Sequence, residues 1–240
     1  MRKIMLAVAI FMLASVFTGC AKEAPELAEK MSEKVQNKVS CEMKVQIEGV
    51  TGGEKTLSGE LRILVNKGEA ERVSRTEGVL ALDTSGDNEK IPVLEFLLAK
   101  DGETVAYTSD EQTGKWEKYS VSVQDNQRNL FKILADKKET IAVDKELADV
   151  DGLKCYVLTT SVNEKELKEA ASVFASLSGY ELQVLSGIPD ADVSLYLDKK
   201  TLLPVKCRII NEGFVSLTVT FDSWDNTDAV GIPEAATKLK

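Results

Sequence analysis

The chain contains 240 residues, carries a formal net charge of −9 and has no histidine. The acidic balance argues against binding to nucleic acid and against electrostatic docking on an anionic membrane. Without histidine, the most common general base, the most common metal ligand and the Ser-His and Cys-His nucleophile pairs are all missing. Carboxylate pairs stay chemically available, but none stands out by its spacing. We therefore predict a protein that is not an enzyme and that needs neither a metal nor a cofactor.

The N-terminal segment combines positive charge, an apolar run and a cysteine. Arg2 and Lys3 precede an almost unbroken apolar run from Ile4 to Phe17. This run has the length of a signal-peptide core and is short for a membrane-spanning helix. The residues Phe17-Thr18-Gly19-Cys20 follow and resemble a bacterial lipobox, although Phe17 stands where an aliphatic residue is usual. The pattern predicts a signal peptide at residues 1–19 and lipidation of Cys20.

An uncleaved N-terminal anchor helix is the alternative interpretation of this segment. Both interpretations place the folded part on the outer face of the cytoplasmic membrane, and in the first of them residues 20–23 form a short tether. A cysteine that carries several acyl chains holds a protein stably on a bilayer. Cleavage also removes Arg2 and Lys3, which makes the remaining chain more acidic. The lipid, and not charge, would then attach the protein to the membrane.

Three further cysteines, Cys41, Cys155 and Cys207, each lie on the apolar side of an alternating segment. Their odd number allows at most one disulfide within the monomer. Two interpretations stay open, because connectivity cannot be deduced from sequence alone. The thiols are either small buried hydrophobic groups, or Cys155 and Cys207 form a disulfide. Their wide spacing and the absence of histidine argue against a zinc site.

The hydrophobic period changes along the first half of the chain. From residue 24 to 38, Leu27, Met31 and Val35 recur at every fourth position, which predicts an amphipathic helix. A period of two then predicts strands at residues 41–48, 57–65 and 69–76. Residues 80–90 are rich in Asp, Ser and Gly and are predicted to form an irregular loop. The loop offers oxygen ligands for calcium, but its spacing departs from the EF-hand pattern, so a solvated loop is favoured.

The second half alternates between strands and helices. A hairpin is predicted at residues 93–108, around Lys100-Asp101-Gly102. Asn163 and Glu166 have the spacing of a capping box, which starts a helix with Leu167, Phe174 and Leu177 on its apolar face. The other predicted elements are a strand around Trp116 and Tyr119, a helix at 126–137, and strands at 140–143, 153–162, 192–197, 203–210 and 214–221. Residues 180–189 are apolar and are left open as a loop or a lid.

These elements predict one α+β domain at residues 24–225, followed by a C-terminal tail at 226–240. There is no internal repeat and no Pro/Gly/Ser-rich linker. The expected architecture is a single curved antiparallel sheet, an unclosed half-barrel with two or three helices on its concave apolar face.

Three segments resemble motifs of one family of bacterial lipoproteins. Asp151-Gly152-Leu153-Lys154-Cys155-Tyr156-Val157-Leu158 resembles a strand of the LolA/LolB-like half-barrel lipoproteins, to which the LppX/LprG group is related. Residues 196–206 (YLDKKTLLPVK) resemble a strand-turn-strand motif of the same family, and residues 221–224 (FDSW) resemble its closing strand. The resemblance spans most of residues 24–225 and extends to uncharacterised Gram-positive lipoproteins. It implies a Gram-positive cell surface and an apolar cavity that can hold acyl chains, but it carries over no ligand residue.

The apolar face of the predicted sheet can serve either as a ligand pocket or as a solid core. Its expected lining residues are Met43, Val45, Leu61, Ile63, Val205, Ile209, Leu217 and Val219. If the helices stand off this face, it is a pocket for a lipid or another hydrophobic ligand. If they fill it, the protein is an envelope-structural or protein-interaction module with a solid core. Trp116 and Trp224 either line a cavity mouth or a sugar site, or simply cover strand ends.

Overall fold

The computed structural model describes residues 23–51, 54–84, 87–110, 113–120, 130–137, 140–171, 190–211 and 213–239. The strands are β1 Ser40–Thr51, β2 Glu54–Lys67, β3 Glu71–Thr84, β4 Asp87–Lys100, β5 Glu103–Asp110, β6 Lys115–Ser120, β7 Ala142–Val143, β8 Ala148–Val150, β9 Leu153–Asn163, β10 Asp190–Asp198, β11 Pro204–Asn211 and β12 Val215–Trp224. The helices are α1 (residues 23–36), α2 Leu130–Asp136, α3 Glu164–Ala171 and α4 Glu234–Thr237.

All the described strands belong to one antiparallel sheet. The strand order is β6-β5-β4-β3-β2-β1-β12-β11-β10-β9-β7. The short strand β8 also pairs with β9. The first and last strands, β1 and β12, meet in the middle, and the chain meanders outward from them on both sides. In the described part of the chain β6 and β7 do not pair, so the sheet is unclosed. The predicted α+β half-barrel is confirmed.

Alternation along the strands separates an inner face from an outer face. Val45 lies opposite Leu61 on one side and Val219 on the other, and residues opposite each other in a ladder point to the same face. The three helices α1, α2 and α3 pack on this inner face. They contribute apolar side chains to one core with the strands, namely Ala24, Ala28, Met31, Leu130, Phe131, Ile133, Leu134 and Leu167.

The C-terminal segment, predicted to be a tail, packs against the outer face. Val230, Ile232 and Ala236 join a second hydrophobic cluster with Phe96 and other side chains of β4, β5 and β6. Asn66 anchors the segment, because its amide Nδ2 donates to Thr227 Oγ1 at 3.1 Å and its Oδ1 accepts from the Val230 backbone N at 2.5 Å. Residues 226–239 are therefore part of the folded domain.

The predicted irregular loop at residues 80–90 is wrong. The strands β3 and β4 pair to their tip, where Asp83 lies opposite Asn88 and Thr84 opposite Asp87. Leu80 and Leu82 point to the inner face and pack with the main core. Burial of these two leucines pulls the polar segment into a long hairpin, which overrides its loop-like composition. The described part of this segment therefore belongs to two paired strands.

Local capping and turn chemistry follows the predictions. The Asn163 side-chain Oδ1 accepts from Glu166 N at 3.0 Å, and Glu166 Oε2 accepts from Asn163 N at 2.9 Å, which is a capping box at the start of α3. In the strand-turn-strand motif, Asp198 Oδ2 accepts from Thr201 N at 3.1 Å and from Thr201 Oγ1 at 2.7 Å. Leu202 then adopts a φ of 59°. The motif is therefore a structural turn.

The three cysteines are free and buried, so the Cys155–Cys207 disulfide is wrong. Cys155 lies opposite Asp198 of β10, on the outer face, whereas Cys207 lies opposite Leu195 of β10, on the inner face. The strand β10 separates the two residues, and neighbouring strands are about 4.8 Å apart. Since a disulfide needs Cα atoms within about 7 Å, residues two strands apart on opposite faces cannot form it.

Several predictions lie outside the described residues. They are the signal peptide, the lipidated Cys20, residues 126–129 of a predicted helix, the positions of Phe174 and Leu177, and the loop or lid at 180–189. Where the chain is described, no helix is both long and apolar enough to cross a bilayer.

Candidate functional site

A groove of about 720 Å³ opens at one end of the inner face. Its walls come from the last turn of α1 with the residues that follow it, the adjoining ends of β1 and β2, the turns at residues 68–70 and 101–102, Phe131 of α2 and the end of β12. The groove lies next to the C-terminal end of α1, and Phe131 of α2 borders it as well.

The floor of the groove is apolar and largely aromatic. Phe221 packs between Phe131, with ring centroids 5.8 Å apart, and Trp224, with centroids 5.4 Å apart and planes inclined by 14°. Trp224 Nε1 donates to the Pro204 carbonyl at 3.0 Å, which holds the indole in place. Cys41, Met43 and Val65 complete the floor. Such a surface can bind an apolar chain by removing it from water.

Charged side chains at the mouth are divided between the two faces of the sheet. Lys67 lies opposite Arg72, and Arg72 lies opposite Ala99, in continuation of the inner row that contains Val65. Glu71 and Lys100 lie opposite each other in the outer row and form an ion pair of 3.4 Å. The inner row therefore presents two cations to the groove. The rim of the groove also contains the acidic residues Glu69, Glu71, Asp101 and Glu103.

Arg72 has an unusual environment for a surface-accessible cation. Its side chain is exposed to solvent, yet burial lowers the pKa of its guanidinium. Arg72 lines the open groove, where protein atoms are close to the guanidinium and solvent still reaches the side chain. Among the described residues, no carboxylate and no hydrogen-bond acceptor contacts its side chain.

The other two cations on this side of the groove have partners. Lys67 Nζ donates to the backbone carbonyl of Gln36 at 3.3 Å, which leaves its charge without a counter-ion. Lys38 Nζ forms an ion pair with Asp225 at 2.6 Å, and Asp225 also accepts from Val39 N at 2.8 Å. This last pair joins the end of α1 to the end of β12.

The structure places the predicted lining residues in two different settings. Met43 lines the groove. The others on the inner face belong to the packed core under the helices and do not line this groove, namely Val45, Leu61, Ile63, Ile209, Leu217 and Val219. Met43 also belongs to this core, so it differs from the others only in bordering the groove. Alternation within a strand carries no information about which inner residues border a groove.

Val205 does not occupy the inner-face position expected of it. Leu197 lies opposite Pro204 while Tyr196 lies opposite Lys206, so Val205 is the extra residue of a β-bulge. Pro204 is buried and Val205 is half-buried. The bulge shifts the inward positions of β11 by one residue relative to a straight alternation.

The inner face becomes polar toward the β6 edge. Thr76, Glu95 and Thr108 follow one another across β3, β4 and β5, and only 2% of the Glu95 surface is exposed. Tyr119 of β6 donates its hydroxyl to Glu95 Oε2 at 2.7 Å. Trp116 packs on the outer face instead, 5.8 Å from Phe96 between centroids.

Sequence reasoning missed most of the groove. Val65 and Phe221 were visible as members of alternating strands, and Phe131 as an apolar helix position. The local sequence pattern did not identify Arg72 as a groove residue. Its position opposite Lys67 and its lack of a paired carboxylate among the described residues are evident only from the folded structure. Trp224 was considered for a cavity mouth, and it does line the groove.

The groove offers binding surface in place of reactive groups. Burial raises the pKa of the Cys41 thiol, and the neighbouring Glu42 carboxylate raises it further, so the thiol stays protonated at neutral pH and is a weak nucleophile. In the described part of the chain, no group of three or more Cys, Asp or Glu side chains is arranged to hold a metal ion.

Two solved structures have this fold. LprF from Mycobacterium bovis aligns with a TM-score of 0.55 at 12% identity, over 89% of this chain and 97% of that chain. The lipoprotein LppX from Mycobacterium tuberculosis aligns with a TM-score of 0.56 at 10% identity, over 87% of this chain and 98% of that chain. No family model and no curated protein sequence matches the chain. At this identity the likeness shows the fold, and it confirms the predicted LppX-like half-barrel.

Proposed function

We propose that this protein is a membrane-anchored extracytoplasmic lipoprotein that binds a lipid or another hydrophobic ligand in the groove. The observation that carries the proposal is the open groove of about 720 Å³ with an aromatic floor. Its volume falls within the roughly 300–1,000 Å³ typical of small-molecule sites. We assign the protein no catalytic role.

Burial of an acyl chain would supply the affinity. Each methylene removed from water contributes about 0.8 kcal/mol, so ten methylenes contribute about 8 kcal/mol before the entropic costs of binding. Phe131, Phe221 and Trp224 are held by each other and by Pro204. The floor is therefore formed in advance, which reduces the cost of ordering side chains around the ligand.

The anchor rests on the lipobox pattern at Cys20. The helix α1 begins at residue 23, so the tether from Cys20 spans at most about 10 Å at 3.3–3.6 Å per residue. The folded domain would then stay close to the bilayer. The LppX structure, which is named as a lipoprotein, has the same fold. This likeness supports an envelope location.

Lipid extraction tests ligand binding directly. The full chain is recovered from the membranes of an expressing bacterium, washed with detergent, extracted with organic solvent and analysed by mass spectrometry. Ala99→Phe adds a ring at an inward position of the groove mouth, and Ala81→Phe adds the same ring on the outer face. We expect bound lipid with the wild type and with Ala81→Phe, and a loss of most of it with Ala99→Phe.

The same experiment addresses the alternative, an envelope-structural or protein-interaction lipoprotein. The helix-filled centre of the inner face favours that alternative, since a solid core needs no ligand. A wild-type chain that yields no lipid, or an Ala99→Phe variant that yields as much as the wild type, would support it.

The anchor is tested by metabolic labelling with an alkyne analogue of palmitate. Cys20→Ala should abolish the label, whereas Cys155→Ala should keep it. Labelling that persists in Cys20→Ala would contradict the lipobox assignment.

A further inference from the structure

The mouth of the groove contains two like charges that face each other. Lys67 and Arg72 are directly opposite in the β2–β3 ladder, so their Cβ atoms are about 5 Å apart. Like charges in this arrangement are destabilising. Apolar residues usually occupy inner positions of such a sheet, so a pair of like charges there is unusual. A bound anion would stabilise this pair.

Neither cation is neutralised by the protein where the chain is described. Lys67 Nζ has a backbone carbonyl as its partner, and Arg72 has no ion pair or hydrogen bond to its side chain among the described residues. Four acidic residues also line the groove, namely Glu69, Glu71, Asp101 and Glu103. Glu71 is paired with Lys100, and among the described residues none of the four forms an ion pair with Lys67 or Arg72. Two cations directly opposite each other without a counter-ion repel each other. An anion placed between the two side chains would relieve that repulsion.

The apolar floor begins next to these charges. Val65 precedes Lys67 by one inner position, and successive residues on one face of a strand are about 7 Å apart. Val65, Phe221 and Trp224 line the same groove as Arg72. The arrangement places a cationic pair at the opening and an apolar surface behind it.

We infer that the ligand is an amphiphile with a single apolar chain and an anionic headgroup, a carboxylate or a phosphate, that binds Arg72 and Lys67 while its chain lies on the aromatic floor. This inference rests on the proposed function and specifies its ligand class. The fork of donors on Arg72 matches the two oxygens of such a headgroup, and Lys67 adds a second positive charge.

Photo-crosslinking in vesicles can test the headgroup separately from the chain. The full chain, recovered from bacterial membranes, is placed in phosphatidylcholine vesicles at pH 8. It is exposed to a palmitate analogue with a diazirine in its chain, or to the alcohol with the same chain and diazirine. The fraction of labelled protein is measured by mass spectrometry against probe concentration, and the labelled peptides are identified.

The variants are Arg72→Gln and a matched control, Lys100→Gln, which removes a cation of the same rim that faces outward. We expect the wild type to be half-labelled at an acid concentration about tenfold or more below that of the alcohol, as charge-assisted hydrogen bonds imply. Arg72→Gln should remove this preference and leave the alcohol curve within about twofold. Lys100→Gln should retain it, and Arg72→Lys should keep part of it.

Competition then distinguishes a lipid headgroup from a free anion. An unlabelled lysophosphatidate should displace the acid probe, while inorganic phosphate at the same concentration should not. Displacement by inorganic phosphate alone would overturn the amphiphile inference in favour of a simple anion site.

Two other outcomes would overturn the inference. Equal labelling of the wild type by acid and alcohol would leave the proposed function standing and remove the anionic headgroup. Arg72→Gln that weakens both probes equally would make Arg72 a packing residue. If neither probe labels the groove of the wild type, the proposed function fails and this inference fails with it.

Discussion

The centre of the inner face and its open end are built from the same strands, but the centre is packed core and the open end borders the groove. At the centre, Val45, Leu61 and Val219 are almost completely buried beneath the helices. One or two inner positions further along, Met43, Val65 and Phe221 form the floor of the groove. The same alternating pattern therefore produces positions that are enclosed in the core and positions at its edge that also border the groove.

The domain can contain an open groove and still be stable, because the groove and the centre of the core lie at different parts of the inner face. Stability comes from the covered centre, where α1, α2 and α3 bury their apolar faces. Lys67 and Arg72 lie beyond the last core residues of their strands and are exposed, so their opposition does not disturb the packing of the core. Substitutions at the two ends of one strand should therefore differ in their cost.

The largest expected difference concerns two glycines. Gly78, at the centre, has a φ of 152°, and a Cβ built there would lie 2.9 Å from the Leu61 Cα and even closer to the Glu60 carbonyl oxygen. Gly102, at the groove mouth, has a φ of 80° and would meet nothing within 4 Å. We expect Gly78→Ala to lower the free energy of unfolding by more than about 4 kcal/mol or to prevent folding.

Gly102→Ala is the control, and it should cost only about 1–2 kcal/mol, from the left-handed backbone alone. Urea denaturation followed by circular dichroism measures both variants. Equal costs would show that the centre has room to relax, against the packing described here.

Two apolar residues of β2 give the next largest difference. Leu61→Ala should lower the free energy of unfolding by about 2–5 kcal/mol, because its cavity is enclosed by the core. Val65→Ala, at the half-buried groove position, should cost about 1 kcal/mol, since water already reaches that site. Val65→Ala should also weaken lipid binding, and Leu61→Ala should not do so at temperatures where it is folded. A reversed order of stability would mean that the groove is closed in solution.

The smallest effect is expected at the rim. The hydrogen bond and ion pair from Lys38, together with the Val39 backbone N, lower the pKa of the Asp225 carboxyl, against a smaller opposing effect of desolvation. A lowered folded-state pKa means that the stabilisation is present above the unfolded pKa of about 4 and is lost as the pH falls through the folded value. Because Asp225 is about one-third exposed, screening limits this contribution to about 0.5 kcal/mol.

Asp225→Asn should therefore be less stable than the wild type at pH 7, and the difference should disappear as the solution becomes strongly acidic. Thermal unfolding at a series of pH values checks this, with Asp222→Asn as the control at an exposed outer-face ion pair to Lys44. A difference between Asp225→Asn and the wild type that grows toward low pH would have the wrong sign for this pair.

The sequence by itself determined the elements whose formation depends on residues close together in the chain. Alternation predicted β1 and β2, the capping box at Asn163 and Glu166 predicted the start of α3, and Asp101-Gly102 predicted a tight turn; all are present. These features depend on residues within a few positions of each other, so a window of sequence contains the physical information. The single unclosed sheet followed from the same patterns, aided by the resemblance to half-barrel lipoproteins.

Only the tertiary structure decided where the inner face is filled and where it is open. The long β3–β4 hairpin, the bulge at Val205 and the opposite faces of Cys155 and Cys207 all depend on partners in neighbouring strands. The cationic pair of Lys67 and Arg72 arises from strand register, and the groove arises from the point at which α1 ends above the sheet. Each of these is a long-range relation between segments, and for that reason no local pattern of charge or hydrophobicity encodes it.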